Sequence, residues 1–154
     1  MSRLIHIAFI GSRNFTNKIE FTKIALTFIK KLGLEIGQFI VVSGGANGAD
    51  KIAEEWAQIF NIETLIFKAE WDNLVETPDN PVQIVYHGPN NTNPYNRLAG
   101  FNRNTKIVEN SDIVCAVWDE KSSGTKDSLD KAIKLGKKCL IYNFLTKEYK
   151  EYYG

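Results

Sequence analysis

The fold is decided by residues 38–50, which read QFIVVSGGANGAD. The first five form a short, mostly apolar run of the kind that makes a buried parallel strand. Three glycines in five residues follow at once, and Ala49–Phe60 then carries apolar residues at helical spacing. A buried strand that turns through glycines into an amphipathic helix is half of a βαβ unit, so this stretch predicts an α/β fold.

The same alternation continues on both sides of this stretch. Apolar runs predict strands at Leu4–Ile10, Gln38–Val42, Glu63–Phe67, Asp112–Trp118 and Lys138–Tyr142. Helical spacing predicts helices at Ile19–Leu32, Ala49–Phe60, Asn102–Asn110 and Thr125–Leu135. We therefore expect an α/β protein with a parallel sheet of about five strands and helices on both faces. The aromatic and charged residues 145–154 predict a terminal helix or an oligomer contact.

A long segment interrupts the alternation. Glu70–Asn96 holds all 4 prolines and several asparagines, and a loop of this length in a compact domain is usually functional or mobile. Val82–His87 could form a short extra strand within it. We expect residues 1–154 to form one domain with a long loop insertion at about 70–97.

Composition excludes several classes of protein. Net charge is +1, with 44% hydrophobic and 24% charged residues, which argues against disorder and against a strongly basic nucleic-acid footprint. Cys115 and Cys139 lie in apolar runs and are expected as reduced core thiols, and no metal-ligand spacing occurs. The sequence predicts neither a signal peptide nor a stretch near the roughly 18 apolar residues of a membrane span, so we expect a cytoplasmic protein.

Four polar loops fall where ligands bind in parallel sheets, outside the carboxyl ends of the strands. They offer glycine backbone amides, hydroxyl groups and two arginines, a combination suited to the phosphate of a phosphorylated sugar. Each loop taken alone is also explained as an ordinary turn or cap: Thr125 is a natural N-cap, and Asp50 could either cap a helix or hold a ribose hydroxyl. The candidate ligand-binding residues are Gly11, Ser12, Arg13, Ser43, Gly44, Gly45, Asn47, Gly48, Asp50, Arg103, Asn104, Ser122, Ser123, Gly124 and Thr125.

These motifs resemble a known family. GSR at 11–13, SGGANGAD at 43–50, AEW at 69–71, AGFNRN at 99–104 and the run from Ser111 to Tyr142 are similar to the SLOG superfamily, most closely its YspA-type branch, common in bacteria and their phages. The resemblance spans about Ile5–Tyr142. It implies a Rossmann-like fold that binds nucleotides or nucleotide derivatives. Relatives include the Lonely-Guy phosphoribohydrolases, DNA-processing proteins and sensor domains for nicotinamide-dinucleotide derivatives.

The resemblance also implies two functional hypotheses. The first is a module that binds a nucleotide or an ADP-ribose-like ligand without converting it. The alternative is a phosphoribohydrolase that cleaves the N-glycosidic bond of a nucleoside monophosphate, with Arg103 and Asp127 as catalytic residues, Arg13 as a second phosphate anchor, and Glu54 and Asp119 as reserve acids. Here Lys121–Thr125 replaces the hydrolases' Pro-Gly-Gly-x-Gly-Thr loop and keeps only Gly-Thr, while Asp127 is one methylene shorter than their glutamate.

The expected partners follow from these hypotheses. A small-molecule nucleotide or nucleotide derivative is the expected ligand. The resemblance also implies that the protein forms a homo-oligomer. The DNA-processing relatives imply a third hypothesis, a nucleic-acid partner. Because net charge is close to zero, which argues against duplex binding, nucleic acid is not the expected partner. Neither a membrane nor a cofactor nor a metal is expected.

Overall fold

A computed structural model describes residues 3–152, and alternating strands and helices make up most of it. The elements are β1 (Ile5–Gly11), α1 (Lys18–Lys31), β2 (Phe39–Ser43), α2 (Ala49–Ile59), β3 (Thr64–Ile66), β4 (Ile84–His87), β5 (Asn93–Asn96), α3 (Ala99–Glu109), β6 (Ile113–Trp118), α4 (Ser123–Lys134), β7 (Lys138–Asn143) and β8 (Glu148–Tyr152).

The main sheet has six strands in the order β3-β2-β1-β6-β7-β8. The first five run parallel, and β8 pairs antiparallel with β7. This confirms the predicted α/β class and its parallel sheet. The helical connection after β1 leads to β2 on one side of it, whereas the connection after β6, its other neighbour, leads away to β7. The two connections therefore diverge between the carboxyl ends of β1 and β6, which is where such sheets open a ligand crevice.

The sheet is covered on both faces, because successive residues of a strand point to opposite sides. Ile7 and Phe9 of β1 pack with α1 and α2, and Phe9 lies 5.7 Å from the ring of Trp56. Ala8 and Ile10 pack instead with residues of α3 and α4, including Ile107 and Leu129.

The two cysteines lie in different layers of this core. Cys115 belongs to the layer under α1 and α2, and Cys139 to the layer under α3 and α4. Both are free thiols with no exposed surface, as predicted. Burial raises the pKa of Cys139 to about 11 and raises that of Cys115 as well.

The prediction of a terminal helix within residues 145–154 is wrong, since Glu148–Tyr152 is a strand. Asn143 explains the reversal: its Oδ1 accepts hydrogen bonds from the amides of Leu145 and Thr146 at 2.9 and 3.2 Å and turns the chain back along β7. Tyr153 and Gly154 lie outside the described residues. The oligomer contact expected here, and the homo-oligomer itself, stay predictions.

The interruption at 70–97 holds an ordered hairpin. β4 and β5 pair antiparallel and form their own two-stranded sheet. The expected strand at Val82–His87 is present as the shorter β4, whereas β5 was not predicted because its sequence, NPYN, contains proline and little β-forming pattern.

Asparagine side chains hold this insertion in place. Asn96 is fully buried, and its Oδ1 accepts from the amides of Gln83 and Leu98 while its Nδ2 donates to the carbonyl of Pro81. Asn102 of α3 donates to Asn80 and to Pro81. The insertion is therefore attached chiefly to the start of α3. None of the helices within residues 3–152 is long and apolar enough to cross a membrane.

Candidate functional site

An open cleft of about 610 Å³ lies at the carboxyl edge of the sheet. Its walls are the loops after β1 and β6, the first turns of α3 and α4, and Trp71 from the insertion. This is the divergence point of the crossovers, so the position of the cleft follows from the strand order.

Positive side chains outnumber negative ones in the cleft. Arg13, Arg97, Arg103 and Lys121 line it, together with the carboxylates of Asp50 and Asp119. The side chains of Arg13, Arg97 and Lys121 are exposed, and no hydrogen bond or ion pair holds any of them among residues 3–152. These three cations are therefore available to a ligand.

Arg103, by contrast, is occupied by the protein. Its Nη1 donates to the carbonyl of Gly44 at 2.7 Å, and its Nε donates to Oδ1 of Asn104 at 3.0 Å. A Cβ at position 44 would lie 2.9 Å from Cδ of Arg103 and 3.0 Å from Oδ2 of Asp50, so only glycine fits between these two side chains. Burial lowers the pKa of Arg103, and the nearby Asp50 opposes that change.

Asp50 is a buried acid at the start of α2. It is 6% exposed, and burial raises its pKa to about 7 despite the positive charge of Arg103 and the amide of Ala46, which lies 3.4 Å from Oδ2. Glu54, one turn further along α2, adds to the rise and accepts a hydrogen bond of 2.7 Å from the hydroxyl of Ser43. Asp50 is thus partly protonated near neutral pH, which weakens the negative charge of the cleft.

Hydroxyl groups join the loops after β1 and β6. The buried Oγ of Ser12 accepts from the amide of Asp119 at 3.2 Å and lies 3.0 Å from Oγ of Ser122. Burial would raise the pKa of Asp119, but hydrogen bonds from the amides of Lys121 and Ser122 and from the Ser122 hydroxyl outweigh it, so the pKa is lowered. Asp119 is therefore a charged structural acceptor that orders this loop.

The helix starts differ from the prediction. α3 begins at Ala99, three residues before the expected Asn102. Thr125 is not the N-cap of α4: the helix begins at Ser123 after Ser122, and Thr125 is buried in its first turn. Ser122 takes the cap position without a capping side-chain bond, because its hydroxyl is turned toward Ser12 and Asp119.

Asp127 lies outside the cleft lining. Its Oδ2 forms an ion pair of 2.8 Å with Lys131 and accepts a hydrogen bond of 3.1 Å from Nδ2 of Asn104. Asn104 therefore bridges Arg103 and Asp127, the two residues expected to act in catalysis, and each is committed to protein partners.

Two rings in the cleft were missed by sequence reasoning. Trp71 and Phe101 line it and are 41% and 42% exposed. Trp71 ends the AEW motif after β3, and Phe101 lies inside AGFNRN. The available signal was a large aromatic residue at the carboxyl edge, where no core requires one. Arg97 was missed as well, since it ends the insertion, whose path sequence reasoning did not predict.

The structure brings together only some of the predicted site residues. Those that line the cleft are Gly11, Arg13, Asp50, Arg103, Asn104, Ser122, Ser123, Gly124 and Thr125. Those that do not are Ser12, Ser43, Gly44, Gly45, Asn47, Gly48 and Asp127.

The glycine loop after β2 explains much of this division. Gly48 has φ of +82°, and a Cβ there would collide with the backbone of Ser12 and Arg13. Together with Gly44, it lets the loop after β2 pack against the loop after β1 and against Arg103. The space beside these two glycines is thus filled by the protein itself.

Comparisons with known proteins agree with this architecture. A family model described as YspA, cpYpsA-related SLOG family matches residues 5–73. Gene 61 protein of Mycobacterium phage D29 is 30% identical over 103 residues, which is 63% of this chain and 66% of that protein.

Two solved structures share the fold. DNA processing protein A from Helicobacter pylori, described by its single-stranded DNA binding mode, aligns over 90% of this chain with a TM-score of 0.59 and 21% identity. DNA processing protein A (DprA) from Streptococcus pneumoniae aligns over 90% with a TM-score of 0.63 and 18% identity. The present chain spans 65% and 50% of these two chains, less than two thirds of either.

These findings correct the functional prediction. The expectation of a small nucleotide-derived ligand is wrong, because the solved structures that share the fold are DNA-processing proteins, one of them described by its binding to single-stranded DNA. The phosphoribohydrolase alternative is wrong on the same ground. So is the expectation that nucleic acid is not a partner, which treated net charge as if it described the cleft.

The family assignment drawn from the motifs is confirmed. The family model spans three of the motifs that carried the resemblance, namely GSR after β1, SGGANGAD after β2 and AEW after β3. The strand order and the DprA-like fold agree with it. Over residues 5–73 the chain matches the SLOG family.

Proposed function

We propose that the cleft at the carboxyl edge of the sheet binds single-stranded DNA. The observation that carries the proposal is the presence of three cations, Arg13, Arg97 and Lys121, whose side chains have no partner among residues 3–152, beside two half-exposed rings in one open cleft. A positive groove with aromatic side chains is the common arrangement for single strands, because cations follow the phosphates while rings stack on bases.

The three cations come from different parts of the chain. Arg13 follows β1, Arg97 precedes α3, and Lys121 follows β6. Cations spread around a cleft suit a chain of successive phosphates, each with its own charge. The DprA structures support the proposal by analogy of fold and of the binding described for one of them.

The near-neutral net charge is compatible with this function. Net charge of +1 sums all 19 basic and 18 acidic residues, whereas a ligand in the cleft meets four cations and two acids. Asp50, with a pKa of about 7, contributes less than a full negative charge near neutrality. Local charge rather than the total governs the contacts with phosphate.

Fluorescence anisotropy with a labelled oligothymidylate in a salt series tests the proposal. If three phosphates are neutralised, the logarithm of the association constant falls with the logarithm of salt concentration with a slope of about −2. Arg13→Ala, Arg97→Ala and Lys121→Ala should each weaken binding and reduce the slope by about 0.7.

Lys30→Ala is the matched control. Lys30 is exposed in the last turn of α1, which runs back to the opposite edge of the sheet, and its removal should leave affinity and slope unchanged. Absence of binding by the wild type, or equal losses for Lys30→Ala and the cleft variants, would contradict the proposal. We also propose that residues 1–154 form one domain with an insertion at about 70–97 and that the protein acts in the cytoplasm.

A further inference from the structure

Trp71 is a large apolar side chain that the protein leaves uncovered within the cleft. It is 41% exposed, whereas the core tryptophan, Trp56, is 3% exposed. The exposed part of the ring faces the same cleft as Phe101, which is 42% exposed, so the two rings together offer an apolar surface to a ligand there.

The insertion holds Trp71 in a fixed place. The amide of Asn96 donates a hydrogen bond of 2.7 Å to the carbonyl of Trp71, and the buried Asn96 side chain fixes that end of β5. The ring of Tyr95 lies 6.3 Å from that of Trp71 in an edge-to-face arrangement. The side chain is therefore oriented before any ligand arrives, which reduces the entropy that binding must overcome.

The surroundings of Trp71 connect it to the cations. A Cβ at Gly100 would lie 3.3 Å from the Trp71 ring and 3.9 Å from the guanidinium of Arg103, so ring and guanidinium flank the same glycine. Arg97 lines the same cleft. A nucleotide whose phosphate meets these arginines would bring its base within reach of the ring.

We propose that Trp71 stacks on an unpaired base and so makes the cleft selective for single strands. This inference rests on the proposed function. The bases of a duplex are stacked on one another and turned inward, so a ring recessed in a cleft can reach only a base that is free to turn out of the strand. The arginines supply affinity for the phosphates of both single-stranded and duplex DNA, while Trp71 supplies the preference for single strands.

The test compares three labelled ligands of equal length: a thymidine 12-mer, an abasic 12-mer with the same phosphates, and a 12-base-pair duplex. We expect the wild type to bind the thymidine strand about tenfold more tightly than the abasic strand, which is the effect of one stacked base. Trp71→Leu keeps an apolar cover over Gly100 and should reduce this ratio to about one, because affinity for the thymidine strand falls about tenfold. Trp71→Phe keeps an aromatic ring and should retain part of the wild type's preference for the thymidine strand over the abasic strand.

Tyr86→Leu is the matched control. Tyr86 is 55% exposed on the same hairpin, but it pairs with Pro94, whereas Tyr95 pairs with the neighbouring Val85, so Tyr86 faces away from Trp71. Its replacement should leave all three affinities unchanged.

The outcomes separate the two proposals. If the wild type binds thymidine and abasic strands equally, or if Trp71→Leu preserves the ratio, base stacking by Trp71 is refuted while DNA binding stands. If the wild type binds none of the three ligands, the proposed function fails and this inference fails with it.

Discussion

Arg103 donates a hydrogen bond of 2.7 Å to the carbonyl oxygen of Gly44 and thereby joins the N-terminal half of α3 to the loop after β2. The same guanidinium lies near the buried Asp50. Arg103 thus ties the α3 wall of the cleft to the loop after β2 behind it.

The first prediction concerns this link. Arg103→Ala should lower the free energy of unfolding by about 2–3 kcal/mol, because a charged hydrogen bond is lost and Asp50 loses its neighbouring cation. Arg103→Lys should lose less. Urea denaturation measures both. Arg97→Ala removes an exposed arginine whose side chain has no partner in the described part of the chain, so it should change stability by less than about 0.5 kcal/mol. Equal losses at positions 103 and 97 would contradict the assignment.

The second prediction concerns pH. Burial raises the pKa of Asp50 from 3.8 to about 7, so the folded protein binds a proton that the unfolded chain releases. Between those two values the free energy of unfolding should fall as pH rises, by at most about 1.4 kcal/mol per pH unit, and this contribution should level off above pH 7.

Asp50→Asn isolates this effect, because it removes the titrating group and keeps an oxygen for the amide of Ala46. Urea denaturation of wild type and variant at pH 5, 6, 7 and 8 gives the difference between their free energies of unfolding as a function of pH. The variant should gain stability relative to the wild type as pH rises. A constant difference across this range would show that Asp50 titrates normally.

The third prediction concerns Trp56 in the layer under α1 and α2. Among the buried side-chain nitrogens and oxygens of residues 3–152, its Nε1 lacks a hydrogen-bond partner. Trp56→Phe removes this unsatisfied donor and leaves a small cavity, so the opposing effects should keep the stability change within about 1 kcal/mol. Trp56→Ala should cost about 3–5 kcal/mol. Thermal and urea denaturation distinguish the two, and a large loss for Trp56→Phe would mean that the N–H has a partner.

The fourth prediction concerns the attachment of the insertion. Asn96→Ala removes the acceptor for the amides of Gln83 and Leu98 and should lower the free energy of unfolding by about 2–3 kcal/mol. Hydrogen exchange should quicken mainly at residues 84–97. Asn47→Ala, at an exposed asparagine of the loop after β2, is the control and should alter neither quantity. Faster exchange spread evenly over the sheet would contradict a local role.

The sequence predicted the main sheet well because buried parallel strands are nearly continuous apolar runs with glycine or polar residues at their ends. β1, β2, β6 and β7 all satisfy that description. β5 and β8 do not: one contains proline, and the other is a mixed charged and aromatic segment whose pairing depends on the turn made by Asn143. Their strand conformation comes from partners that local pattern does not reveal.

Part of the predicted site lines one cleft, and its role stays a prediction. Loops after parallel strands converge by topology, so Arg13, Arg103 and Gly124 do share one cleft. Spacing cannot show which side chains the protein itself will occupy, and Arg103 and Asp127 prove to be committed to protein partners. Trp71 was missed because an exposed ring on an irregular segment has no periodicity to mark it.

The attachment of the insertion through Asn96, Asn80 and Asn102 has a consequence for how such proteins diversify. Because the hairpin forms its own sheet and is tied chiefly to the start of one helix, its length and sequence can change without rebuilding the scaffold beneath it. Chains of this architecture could therefore exchange that appendage and acquire new preferences among nucleic acids while the underlying framework is inherited intact.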